Sequence, residues 1–119
     1  MRSVYIGLAL GISLSAFGAQ AQTPAQKYTW DGLGKGRESK CSIYRMHIEL
    51  TAENGRVVGT FQQKDRPLRR FDLPTAADGS FSGQVAVSGG TMRVQGQLGA
   101  SPEIKLTGYC DFGGALKSA

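Results

Sequence analysis

Beyond residue 21, apolar and polar positions alternate with a period of two, the spacing of a strand that buries one face and wets the other. Tyr44, Met46, Ile48 and Leu50 alternate with Arg45, His47 and Glu49. Glu53-Asn54-Gly55 supplies a hairpin turn, and Val57, Gly59 and Phe61 return against Arg56, Val58, Thr60 and Gln62. A basic loop, Lys64-Asp65-Arg66-Pro67, leads to a short strand over 68–73. Ala77-Asp78-Gly79 then turns the chain into a strand whose inner face is Phe81, Gly83, Val85 and Val87. Ser88-Gly89-Gly90 turns it again, into Met92, Val94, Gly96 and Leu98. After Ala100-Ser101-Pro102, Ile104, Leu106, Gly108 and Cys110 share one strand, and the residues up to Leu116 either prolong it or add a short one. An opening strand with Tyr28 and Trp30 precedes a loop from Gly32 to Lys40. Turn signals at short, regular intervals without helical periodicity predict an all-β domain: a small antiparallel up-and-down β-barrel of seven or eight strands.

One template recurs within this pattern. Gly55-x-Val57-x-Gly59-x-Phe61 matches Gly79-x-Phe81-x-Gly83-x-Val85, and the segments ending at Leu98 and Cys110 keep its second half around Gly96 and Gly108. A glycine weakens a strand, so four on the inward face call for a reason. Sharp coiling of short strands, with space for Trp30, Phe71 or Tyr44 from across the interior, is one reason. An emptied ligand cavity is the other.

The first 21 residues stand apart. Arg2, an apolar run over 4–17 and the small-x-small triplet Ala19-Gln20-Ala21 predict a cleavable signal peptide over 1–21, leaving 22–119 as a single domain. The run is shorter than the ~20 apolar residues a spanning helix needs, so the protein is expected to be periplasmic or secreted and not membrane-spanning. Cys41 and Cys110, the only cysteines, then pair as one disulfide. A loop of 69 positions makes that bond worth up to roughly 4 kcal/mol. The parities of the two cysteines conflict unless Cys41 still lies in the first loop or a bulge intervenes near Ser42; either way the disulfide ties that loop to the last strand at one end of the barrel.

Composition narrows the chemistry. With 119 residues, 40% of them hydrophobic, and a net charge of +5, the chain is neither disordered nor long enough for a doubly wound nucleotide-binding fold. His47, the single histidine, falls on the wet face beside Arg45 and Glu49. No metal-ligand spacing, no G-x-S-x-G elbow and no carboxylate pair is present, so no catalytic or metal residues and no cofactor are assigned, and the protein is read as a non-enzyme. Gly32-Leu33-Gly34-Lys35-Gly36-Arg37 fails the phosphate-loop spacing. Basic residues are not interleaved with aromatics, which argues against nucleic acid.

Trp30, the turn at Gly55 and Gly59-Thr60-Phe61 resemble the opening hairpin of avidin-like barrels, over about a third of residues 22–119. The resemblance implies a similar architecture alone, because Trp30 is the only tryptophan and the later ones that wall the biotin site in that family are missing. The expected function is an exported binding protein that takes a small or amphipathic ligand, lipid-like or anionic, at the barrel mouth. Trp30, Tyr28, Tyr44 and Phe71 would line that mouth, with Arg66 and Arg69 at its rim. The alternative is a periplasmic inhibitor of a protease- or lysozyme-type hydrolase, presenting the 32–40 loop or the basic 64–70 segment to a protein partner.

Overall fold

The computed structural model describes residues 24–119; the expected signal peptide lies outside the described residues. The strands are β1 (Gln26–Leu33), β2 (Arg45–Glu53), β3 (Arg56–Gln63), β4 (Arg69–Pro74), β5 (Ser80–Val87), β6 (Gly90–Gln97), β7 (Glu103–Thr107), β8 (Asp111–Ala115) and the two-residue β9 (Lys117–Ser118). Among the described residues a single 3-10 turn, Ser39–Ile43, interrupts the all-β pattern. All neighbours pair antiparallel, in two sheets ordered β4-β3-β2-β1-β9 and β5-β6-β7-β8. The expected single barrel is therefore not what the hydrogen bonds form: among the described residues no sheet closes on itself. The edges nevertheless meet in two seams, β4 beside β5 and β1 beside β8, around one shared core.

Alternation set the faces as the pattern dictates. Met46, Ile48 and Leu50 of β2, Val57 and Phe61 of β3, Val94 of β6, and Ile104 and Leu106 of β7 are buried, and their strand neighbours point outward. Asn54 and Gly55, both at positive φ, make the tight β2–β3 turn.

The end of β7 departs from the sequence expectation. Gly108 and Cys110 do not continue the strand; they form a three-residue turn with Tyr109, and β8 returns with Thr107 opposite Asp111. A turn of odd length keeps Cys110 and then Phe112 on the inner side, so the alternation runs through it unbroken and conceals it. Gly113 and Gly114 consequently lie inside β8. The parity conflict of the cysteines resolves because Cys41 sits in the 3-10 turn, before β2 begins, and bonds Cys110 in the β7–β8 turn with Cα atoms 5.6 Å apart.

The inner glycines are filled by large neighbours, mostly from the adjacent strand and not from across the interior. Phe71 lies over Gly59, its partner in register, and Phe81 over Gly96, likewise its partner. Leu73 of β4 covers Gly83 of β5, and Trp30 of β1 covers Gly114 of β8 and its own strand's Gly32. Both open seams are thus spanned by a bulky side chain laid over a glycine. At the β1–β8 seam three further ties act: backbone bonds in both directions between Lys35 and Asp111 (2.8 and 2.7 Å), the disulfide, and β9 pairing with Tyr28 and Thr29.

A methyl group at Gly59 would stand 2.5 Å from the Glu49 carbonyl oxygen as well as against Phe71, and backbone cannot give way as a side-chain tip can. Gly59→Ala is expected to cost about 1–3 kcal/mol in denaturant unfolding. Gly83→Ala meets only the tip of Leu73 and should cost less. Gly90→Ala, with open space around it, should fall within about 0.5 kcal/mol of the parent.

Candidate functional site

Antiparallel order gathers the β1–β2, β3–β4, β5–β6 and β7–β8 connections at one end of the molecule. A cleft of ≈ 310 Å³ opens there, between the sheets. Its floor is apolar: Met46, Phe61, Met92 and Phe112, all buried, with Cys110 beside them. Its rim is cationic, formed by Lys40, Arg66 and Arg69, and no aspartate or glutamate lines it. Tyr44, Tyr109, Gln63, Ser88 and Thr91 complete the wall with groups that both donate and accept hydrogen bonds.

The fold explains why the cations converge. Arg69 opens β4 on the inner parity of Phe71, so its stem is half-buried and its guanidinium reaches across the β4–β5 seam to donate to Ser88 Oγ at 3.0 Å. Arg66 follows a tight turn: its backbone N–H donates to the Gln63 carbonyl, and its own carbonyl accepts from the Gln62 side chain. Lys40 immediately precedes Cys41, and Tyr109 immediately precedes Cys110, so the disulfide carries both to one place, with the Lys40 ammonium 5.3 Å from the centre of the Tyr109 ring. Tyr109, and secondarily Tyr44, raise the Lys40 pKa above its ordinary value. Neither Arg66 nor Arg69 has a carboxylate partner within 4 Å among the described residues.

Of the residues expected at the mouth, the structure brings Tyr44, Arg66 and Arg69 together in the cleft and places the other three elsewhere. Phe71 is core, stacked on Phe61 with ring centres 6.4 Å apart. Tyr28 is core opposite Leu50, its hydroxyl donating to Gln26. Trp30 is half-buried at the β1–β8 seam. Inward parity was read correctly for all three; distance along the strand from the open end was not available. Tyr109 escaped the sequence reading and Lys40 entered it only as the end of the first loop, although their positions next to the two bonded cysteines were a usable signal.

A second cluster lies on the outer face of β1 and β2. Asp31 is paired with His47 across the strands, and His47 Nδ1 is 2.6 Å from Asp31 Oδ1 while Nε2 is 2.8 Å from Glu49 Oε2. The histidine expected to stand alone beside Glu49 thus has two carboxylate partners, one of them 16 residues away in sequence. Only the imidazolium can donate to both, and with both nitrogens engaged no lone pair is left to act as a general base. Each nitrogen faces a different carboxylate, so the three groups do not converge on a point where a cation could sit; among the described residues no cluster with metal-holding geometry occurs. A wider, shallower depression (≈ 680 Å³) at the opposite end of β5–β7 has opposite charges in Glu103 and Lys105 and no converging set of like charge.

Among the described residues no helix is long and apolar enough to cross a membrane. Comparison with known proteins adds no family: no family model, no curated protein and no solved structure matches the chain.

The His47 cluster sets a pH dependence. Glu49 first, then Asp31, raise its pKa above 6.5 in the folded state, so protonation favours folding. The contribution is fully present below the unfolded pKa near 6.5 and is lost as pH rises through the higher folded value. Because the side chains are 44–63% exposed, it should not exceed about 1 kcal/mol. Denaturant midpoints of the parent and His47→Gln should differ at pH below 6.5 and converge as pH rises through the higher folded-state value.

Proposed function

We propose that this protein is an exported, non-enzymatic binding module for a small amphipathic anion, held in the cleft at the disulfide-bearing end. A single arrangement carries the reading: an apolar floor under three cations, with no carboxylate lining the cleft. A detergent-like or fatty-acid-like molecule matches it, its tail on Met46, Phe61, Met92 and Phe112 and its acidic head on Arg66, Arg69 and Lys40. Arg69 and Arg66 supply planar donor forks suited to a carboxylate, sulfonate or phosphate. The volume is at the lower end of small-molecule sites, which suits a single short chain or one ring system.

The two sheets act in this reading as one flattened barrel. Its interior is filled by the core, so the ligand sits in the mouth rather than in a lumen. The mouth opens where the β4–β5 seam has side-chain contacts in place of ladder hydrogen bonds, and Arg69 and Ser88 face each other across it. Export is supported by the disulfide, since such bonds persist in oxidising compartments. The alternative of a hydrolase inhibitor draws on one observation: the exposed Gly36–Lys40 stretch is pinned at both ends, by the Lys35–Asp111 bonds and by Cys41, as a presenting loop requires.

Dodecanoate titrated calorimetrically into the protein should bind, and dodecanol, lacking the charge, should bind at least about tenfold more weakly. Arg66→Gln with Arg69→Gln should weaken dodecanoate by at least about tenfold while lowering the melting temperature only modestly, through loss of the exposed Arg69–Ser88 bond across the β4–β5 seam. Equal binding of acid and alcohol, or no response to the double substitution, would refute the cleft as an anion site.

A further inference from the structure

The two ends of the molecule differ in their connections. At the cleft end, residues 34–44, 64–68, 88–89 and 108–110 carry five basic side chains, Lys35, Arg37, Lys40, Lys64 and Arg66, against two acidic ones, Glu38 and Asp65. At the opposite end, residues 54–55, 75–79, 98–102 and 116 carry one charged side chain, Asp78. The exposed large hydrophobics follow the same division. Ile43 (73% exposed), Leu68 (52%) and Tyr109 (66%) each stand on a different cleft-end connection, and Leu33 ends β1 next to them. The opposite connections carry none of these, and Val58, the remaining one, lies on an outer sheet face.

Isolated exposed hydrophobics are ordinary on a protein surface; three on separate connections at one charged end are not a scatter. Their separation matters. A protein-binding patch packs its apolar residues contiguously at the centre, whereas Ile43, Leu68 and Tyr109 stand on three separate connections of the cleft end, two of which also carry the basic side chains. That arrangement matches a bilayer interface, where apolar tips enter the boundary of head groups and acyl chains, a tyrosine sits at head-group depth, and lysine and arginine stay with the anionic heads.

We propose that the cleft end docks on the surface of an anionic lipid bilayer, through Ile43, Leu68 and Tyr109 and the charges of Lys35, Arg37 and Lys64. Docking this way turns the mouth of the cleft toward the lipid, and it does not depend on the cleft holding a ligand. Neither Ile43, Leu68, Lys35, Arg37 nor Lys64 lines the cleft, so the two ideas can fail separately.

The test is sedimentation of the chain 22–119, which contains the nine strands and the core of the described residues, with vesicles of phosphatidylglycerol and phosphatidylcholine in equal parts or of phosphatidylcholine alone. The protein should sediment with the anionic vesicles, be released as salt rises from about 0.05 to about 0.5 M, and stay in solution with neutral ones. Ile43→Ser with Leu68→Ser should weaken binding roughly tenfold or more. Lys35→Gln, Arg37→Gln and Lys64→Gln combined should weaken it by roughly fivefold for each charge removed. Both variants should keep the parent's melting temperature and dodecanoate affinity. Failure of the parent to bind anionic vesicles at low salt, equal binding to neutral vesicles, or parental binding by either variant would overturn the proposal. Loss of dodecanoate binding with vesicle binding intact would instead count against the cleft alone.

Discussion

Two open seams must be closed without hydrogen-bonded ladders, and the way this is done underlies the rest of the structure. At each seam one edge strand contributes a large side chain and the other a glycine: Leu73 over Gly83 between β4 and β5, Trp30 over Gly114 between β1 and β8. A Cβ at either glycine would occupy the space its neighbour already fills, so the close approach of the edges depends on its absence. The same device operates inside the sheets, where Phe71 and Phe81 lie over the glycines opposite them in register. Short strands can thereby carry wide aromatic rings between two closely spaced sheets, and the core fills from within.

The seams are not equivalent, and the difference positions the cleft. The β1–β8 side is held covalently through Cys41–Cys110, by the paired backbone of Lys35 and Asp111, and by β9 crossing to the other sheet. The β4–β5 side relies on side chains, and at its open end Arg69 donates to Ser88, just past the end of β5. A small domain buries only a modest share of its surface, so a covalent tie on one side lets the other side stay open without unravelling the whole. The disulfide also brings Lys40 and Tyr109 to the rim, so one bond both secures the fold and assembles part of the site.

Much of the fold was legible because β alternation is a local property. The inner faces of β2, β3, β5 and β6 and the turns at Asn54-Gly55, Ala77-Asp78-Gly79 and Ser88-Gly89 can be read from residue order alone. The turn at Gly108–Cys110 could not be read this way, since an odd-length turn preserves the alternation that would otherwise have marked it. Half of the expected cleft residues, Tyr44, Arg66 and Arg69, lie near strand ends or in a connection, where sequence position gives position along the strand direction. Trp30, Tyr28 and Phe71 were as clearly inward but lie deeper, and depth depends on register between strands.

The sequence by itself determined that the domain is all-β, which residues face inward, that the two cysteines pair, and that glycine recurs on the buried face. These follow from pitch-two alternation, turn chemistry and the count of thiols, each visible within a short window or a single number. Only the tertiary structure decided that the strands form two sheets instead of one closed barrel, that the glycine spaces are filled, and that His47 lies between Asp31 and Glu49. It also decided that the cations of two separate connections and of the first residue of β4 meet above one apolar floor. Those outcomes rest on register and on contacts between residues far apart in the chain, and such contacts are fixed by packing and by a disulfide across 69 positions.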